Sequence, residues 1–524
     1  MTAATLRLAT TLLLCVGASA ASARLAFSQC PDGTPPPCAG RPARVASAAP
    51  APTSVAVLYF DNLTRDTSDA YLADGLTEEL IDRLGQIERL SVKSRTAVQR
   101  FRGRTLDDPT VIGRMLSVAH LVSGSVRRSG NRLRVTAELT RAATGVRVWG
   151  ETYERASDDL MTVEVEIAQA IALGIGGRLA PAERRSLSER PTTNAGAYDH
   201  YLRANFLLAR RTPVDVRAAL DEYETAARLD PTFVRAMARI GLAYGLFVDW
   251  GWPYPELSPD SLLQRGFTAT DRALRLDSAS ADAWMARGDL LQYRNPRTFE
   301  GVLPAFERAV ALDPRNAEVH HQYGGPLTYL HQYDAALRAY RRALALEPER
   351  AITLDNISFV HLLRREYEDA ARVIDSAIAA DPGAYYAYAD QGWIRLLRGN
   401  IAGARASAES ALRFSPPGYA FNGEALMAVV EARAGDTVAS RARLDRVTHG
   451  LSDPDRPGLN DGFIAAMGYA QMGDRDRALD LIERVVPRGI LLWSYLQEPQ
   501  FDPIRDDPRL QRLLAELRPP GVTR

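Results

Sequence analysis

The chain has 524 residues, 64 basic and 64 acidic side chains, and a sequence pI of about 7.1. Zero net charge excludes the broad basic footprint of a nucleic-acid-binding protein, and 46% hydrophobic residues exclude a wholly disordered chain. The length calls for two or more domains. Lys93 is the only lysine, a bias that coding composition explains.

Residues 1–23 read as an export signal: Arg7, the apolar run Leu8 to Gly17, then Ala18-Ser19-Ala20 and Ala21-Ser22-Ala23. The run is too short to span a bilayer. Leu14 precedes Cys15 where a lipid-attachment site needs a small residue. No later stretch reads as a transmembrane helix, so the expectation is a periplasmic, envelope-associated or secreted protein. Residues 24–53 form a Pro/Ala-rich linker containing CPDGTPPPC. In an exported chain Cys30 and Cys38 can pair as a disulfide. A metal site is the sharper reading, but no histidine stands near the two thiols.

Residues 54–180 have the rhythm of an α/β domain. SVAVLYF is an apolar run suited to a buried strand. DGLTEELIDRLGQI is an amphipathic helix with Leu76, Leu80, Ile81, Leu84 and Ile87 on one side. LSVKSR predicts a second strand and PTVIGRMLSV a second helix. Three strands follow, HLVSGSVRRS, RLRVTAELT and VRVWGETYE, separated by turns at Gly130-Asn131 and Thr144-Gly145. A last helix is expected from Asp159 to Leu179, then a linker over 181–194. The phrases FDNLT, LADGLTEEL, GSVRRSG and TGVRVWGETYER resemble the amino-terminal domain of TolB-type proteins. Tyr59 departs from that pattern, which has proline there. The resemblance implies a non-catalytic envelope or signalling module that often precedes helical repeats. Such chains commonly begin with a cyclase, kinase or DNA-binding domain; here a signal peptide is expected in that place.

From 195 to 518 the chain is repetitive. Pro314, Pro348, Pro382 and Pro416 are spaced by 34 residues and close the phrases AVALDP, ALALEP, AIAADP and ALRFSP. Alanine stands five residues before each proline, at Ala309, Ala343, Ala377 and Ala411. Ala336, Ala370 and Ala404 stand twelve before, with Val302 in the first unit. Closely crossing helices need such small residues at fixed offsets, and the proline ends the second helix. Phe306, Tyr340 and Ile374 fill the space between helices, and Gly324, Ser358 and Gly392 are the small residues of the first helices. Less regular units precede these, one with an insertion around Phe247 to Ser261. Two degenerate helix pairs follow at 419–450 and 462–486, and the tail from Glu498 to Leu517 reads as a capping helix. The 34-residue period resembles the tetratricopeptide repeat. The resemblance implies an all-α superhelical solenoid after a small mixed-sheet domain, with a concave groove that binds protein.

No phosphate loop, GxSxG or HExxH motif occurs. GIGG at 174–177 is a helix end. His320 and His361 can approach each other from successive repeats, but such positions are usually packing or groove residues. Lys93, Arg95, Arg100, Arg102 and Arg104 can bind an anion or form a solvated face. Glu78 and Glu79 suit an early helical turn. In the resembled family, fixed positions of each first helix face the groove. Here they give Glu318, His321, Thr328 and Tyr329, then Ile352, Asp355, Phe359, Leu362 and Leu363, then Tyr386, Trp393, Leu396 and Leu397. Of these, Tyr329, Ile352, Phe359, Leu363, Tyr386, Trp393 and Leu397 are the candidate partner-binding set. That surface is apolar and aromatic, so an apolar helix or extended segment is the expected ligand. The competing reading is that the chain covers this face itself, with its amino-terminal domain or its tail. Trp250, Trp252 and Tyr254 form either an exposed recognition loop or a plug where the long repeat bends.

The expectation is therefore a non-catalytic exported scaffold that binds a protein or peptide, with no cofactor, no metal and no nucleic acid. The rivals are an envelope sensor for a small ligand or glycan, and an enzyme with its site in the α/β domain.

Overall fold

Strand and helix boundaries come from a computed structural model. It describes residues 50–522 apart from 65–68, 100, 104–107, 253, 256, 417–418, 452–459 and 487. The expected signal segment, Cys15, Cys30 and Cys38 lie outside the described residues. The fold is the one expected, a small mixed sheet followed by a helical solenoid.

The sheet contains β1 (Ser54–Val57), β2 (Asp61–Asn62), β3 (Ser91–Val92), β4 (His120–Ser129), β5 (Arg132–Arg141) and β6 (Val146–Ala156). The order is β3-β1-β4-β5-β6, with β2 beside β4. β1 runs parallel to β3 and β4, whereas β4, β5 and β6 form an antiparallel meander. Gly130 and Gly145 make its two turns with φ of 59° and 68°, a region open to glycine at little cost. Helices α1 (Ala70–Gly85), α2 (Arg95–Gln99), α3 (Pro109–Leu116) and α4 (Leu160–Gly176) complete the domain. The strand expected over LSVKSR shrinks to two residues, because the chain turns into α2 at Arg95.

The expected linker at 181–194 is instead partly α5 (Pro181–Ser188). Pro181 opens it in the position where a missing N–H costs nothing, and Glu183 Oε2 accepts from the Ala180 N–H at 2.8 Å. Leu187 is fully buried, and Arg83 donates to the Leu187 and Glu189 carbonyls at 3.0 and 2.8 Å. Sheet, α5 and the first repeats share one apolar core, running from Val55 through Leu187 to Ala286.

The solenoid begins with α6 (Ala195–Leu208) and α7 (Pro213–Leu229), then α8 (Val234–Asp249) and α9 (Pro259–Leu276), then α10 (Ala281–Arg294) and α11 (Val302–Leu312). The regular pairs are α12 (Ala317–Tyr329) with α13 (Tyr333–Leu346), α14 (Ala351–Leu363) with α15 (Tyr367–Ala380), and α16 (Tyr385–Leu397) with α17 (Ile401–Phe414). The degenerate pairs are α18 (Phe421–Arg433) with α19 (Thr437–His449) and α20 (Asp461–Gln471) with α21 (Arg475–Ile482). Two further helices, α22 (Ile490–Tyr495) and α23 (Pro508–Leu517), end the chain.

The packing logic of the period holds at atomic scale. Ala309, Ala343, Ala377 and Ala411 are at most 1% exposed. A Cβ built on Gly324 would meet the Tyr340 ring at 2.3 Å, and one on Gly392 would meet Leu426 at 2.2 Å. Gly324 lets α12 touch its paired helix α13, and Gly392 lets α16 touch α18 of the next repeat. The turn inside each regular pair needs a left-handed residue: His331 (φ 57°), Arg365 (φ 64°) and Gly399 (φ 78°), again 34 apart. No helix among the described residues is long and apolar enough to cross a membrane.

The concave face and its occupant

The first helices α12, α14 and α16 present the expected groove residues, but the groove is not open. α22 lies across it. Tyr495 sits between Tyr329 and Phe359, with ring centroids 5.7 and 5.9 Å away, and its hydroxyl is 3.3 Å from that of Tyr329. Phe463 closes the cluster at 5.3 Å. Trp493 lies tilted against His331, with ring centroids 4.4 Å apart. Arg365 donates to the Gln497 carbonyl at 3.1 Å and to Asp502 Oδ1 at 2.9 Å. The chain therefore covers this face with its own tail, and Tyr329 and Phe359 are not free for a partner. The signal in the sequence was the run Ile490-Leu491-Leu492-Trp493, too apolar to stay exposed after a degenerate repeat.

Other expected groove residues divide by depth. Trp393 is 1% exposed and donates from Nε1 to Asn422 Oδ1 at 2.8 Å, so it packs under α18 rather than facing a ligand. Leu363 is buried too. Ile352, Tyr386 and Leu397 remain partly exposed, and Tyr386 meets Tyr385 edge-on at 5.7 Å.

The tryptophan loop is a plug, not an exposed patch. Trp252 is 7% exposed, wedged against Phe247 at 5.6 Å and Tyr419 at 6.2 Å. Trp250 leans on it at 5.6 Å, and Tyr254 packs on Phe247 at 5.1 Å under the Arg217 guanidinium. Because Tyr419 follows α17, the loop of the long second repeat touches the segment between α17 and α18. Three aromatic rings supply the apolar area for that closure.

Charged groups are mostly spent on one another. His320 Nε2 lies 3.0 Å from the Pro314 carbonyl, and His361 Nδ1 lies 2.6 Å from Glu366 Oε2, so the two histidines serve separate turns. His361, Glu366 and Asp369 bring ligand-type atoms within 4.8 Å of one another. Arg364 and Arg372, however, already hold the two carboxylates. Arg95 pairs with Glu78 at 3.0 Å, and Arg102 pairs with Asp74 over the Tyr59 ring. Arg95 and Arg102 of the expected basic cluster are thus paired with acidic groups; Arg100 and Arg104 lie outside the described residues.

A buried polar joint ties the sheet domain to the repeats. Tyr198 of α6 donates to Glu164 of α4 at 2.8 Å, and Arg235 of α8 bridges to Glu79 of α1 at 3.2 Å. Arg83 lies between, 3.2 Å from Glu79 and 3.8 Å from Glu164. Burial and the neighbouring Glu79 push the Glu164 carboxyl up to about 8. Burial also acts on Glu79, but Arg235 and Arg83 outweigh it and hold that group below the usual range. On the concave side, burial and Arg350 push His321 down to about 3, and its Nδ1 lies 2.9 Å from Thr353 Oγ1.

A stack of short helix pairs around an apolar spine is a repeat solenoid. Residues 361–419 match the tetratricopeptide repeat family model. A curated protein of Rhizobium meliloti (strain 1021), named "Putative adenylate cyclase 3", is 29% identical over 215 residues. The match covers 41% of this chain and 36% of that protein, so the chain spans about a third of the relative's length. Among solved structures, pilF of Pseudomonas aeruginosa is 18% identical, covering 42% of this chain and 92% of its own, with a TM-score of 0.34. Yeast Tom70 is 15% identical, covering 69% and 82%, with a TM-score of 0.40.

Proposed function

We propose that the protein is a non-catalytic, exported scaffold whose repeats bind a protein or peptide partner through the concave face. Its sheet domain is read as a TolB amino-terminal-like module. The export reading rests on Arg7, the apolar run after it and the two Ala-Ser-Ala sites. The observation that carries the binding reading is the seat of α22. A short aromatic helix already lies on Tyr329, Phe359 and His331, so the groove accepts a helical segment anchored by aromatic rings. Ile352, Tyr386 and Leu397 extend the same face beyond the tail and offer a partner its first contact.

The test places a photo-crosslinking residue at position 352 or 386 of the full chain in the producing cell. The control position is 438, where Val438 is 79% exposed and belongs to α19. One protein adduct at 352 and 386, absent at 438, is expected. No adduct at the groove positions, or the same adducts at all three, would refute groove binding. Amino-terminal sequencing of the mature chain tests export, with cleavage expected after Ala20 or Ala23.

A further inference from the structure

β6 is an outer strand of the sheet, and among the described residues no strand pairs with its free edge. It is the longest strand of the domain, at 11 residues, and Tyr153 is its one buried residue. Neither proline nor lysine blunts it. Such an edge is a template for a further strand, because its outward N–H and C=O groups are unpaired. The opposite edge, β3, has two residues and offers no comparable length.

The pairing inside the sheet fixes which groups are free. β5 and β6 pair without a break from Arg132↔Ala156 to Leu139↔Trp149. At the end of that ladder the Ser157 N–H donates to the Asn131 carbonyl at 3.0 Å. In an antiparallel ladder alternate residue pairs exchange the bonds. Glu151, Tyr153 and Arg155 therefore turn their backbone groups to β5, and Gly150, Thr152, Glu154 and Ala156 turn theirs outward.

We propose that this edge joins a second copy of the chain, β6 to β6, antiparallel about a two-fold axis at Tyr153. A two-fold contact must be self-complementary, and outward residues must meet outward residues, which leaves only axes that pass through a residue. An axis at Glu151 sets Glu151 against Glu151 and Arg147 against Arg155. Axes at Glu154 and Arg155 set those residues against themselves, and axes at Gly150 and Thr152 bring no opposite charges together. The axis at Tyr153 sets Glu151 opposite Arg155 and Thr152 opposite Glu154, each twice, with Gly150 opposite Ala156. Directly opposed side chains stand about 4.5–5.5 Å apart at Cβ, within reach of an ion pair.

The charges that would meet are exposed and already held on the strand. Glu151 accepts from the Tyr153 hydroxyl at 3.1 Å. Arg155, with a side chain 42% exposed, lies 3.4 Å from Glu166 of α4. Pairing places Arg155 between that carboxylate and Glu151 of the second copy, and it makes one continuous sheet of two. No residue of the concave face takes part, so the contact is independent of groove binding.

Sedimentation of the full chain over a concentration series, with hydrogen exchange on peptides spanning 149–157, tests this. A dimer is expected to build up with concentration, and those peptides should slow in step. Thr152→Pro removes an outward N–H that β5 does not use; the variant should remain monomeric while the protection of β5 is unchanged. Glu151→Arg or Arg155→Glu alone should weaken association about tenfold, since two cross-strand pairs turn repulsive at once. The double variant, with the charges exchanged, should recover most of that loss. A parent that stays monomeric throughout, a dimer indifferent to Thr152→Pro, or a double variant as weak as the singles would each overturn the proposal.

Discussion

Replacing Gly324 by alanine should destabilise the central repeats, although alanine is the better helix former. An ideal methyl at position 324 lies 2.3 Å from Tyr340 Cε1 and 2.5 Å from Cζ. Ordinary carbon contacts are about 3.5–4 Å, so α12 and α13 must part by more than an ångström or the ring must move. Tyr340 is 2% exposed and packed against the His321 ring at 5.9 Å, which leaves it nowhere to go. Overpacking of this kind costs about 1–3 kcal/mol, against a gain of about 1 kcal/mol from replacing glycine in a helix. The net expectation is a loss of about 1 kcal/mol, centred on residues 317–346. Gly85→Ala is the matched control: nothing lies within 4 Å of its added methyl, so only the propensity gain remains. Urea midpoints by far-UV circular dichroism, with hydrogen exchange over 317–346, measure both. Adding Tyr340→Leu to Gly324→Ala should recover part of the loss, which a double-mutant cycle isolates. If Gly324→Ala is as stable as Gly85→Ala, the close helix contact is not what glycine provides.

Two further substitutions test the joints. Trp252→Ala should cost about 3–5 kcal/mol locally, the usual range for a buried aromatic, and speed exchange around Tyr419; an effect below about 0.5 kcal/mol, typical of an exposed position, would return the loop to the surface. Glu164 has its carboxyl raised to about 8 in the folded state, so its favourable contribution is present below about pH 4 and lost as pH rises through 8. Glu164→Gln should flatten the fall in melting temperature between pH 5 and 9, with little change at pH 5. An equally steep fall in the variant would assign that pH dependence to other groups.

The repeat arithmetic was legible because a solenoid writes its packing into fixed offsets. Alanine at five and twelve before each proline, and a small residue facing Tyr340, follow from one contact reused in each unit. The meander was equally plain, since β4, β5 and β6 are local and bounded by turn glycines. Three things were not legible. α2 is five residues long and depends on Arg95 finding Glu78. α5 is mostly polar and stands only because Leu187 reaches the shared core. Coverage of the groove by the tail stood as the competing reading, but its seat was not legible: it joins residues more than a hundred positions apart, such as Arg365 and Asp502, and no local period encodes that. For the same reason the sequence left Trp252 open between an exposed loop and a plug, and Tyr419 beside it decides for the plug.

A shared core joins the head of the molecule to the repeats. α5 fills part of the span expected as a linker, and Tyr198, Arg235, Glu79 and Glu164 bolt α6 and α8 to the helices behind the sheet. The sheet domain and the first repeats therefore share one interior, as neighbouring stones share a mortar bed, rather than hanging together as beads on a string. A cut anywhere between 180 and 195 would not release two modules. It would expose both halves of a core that neither half can close alone.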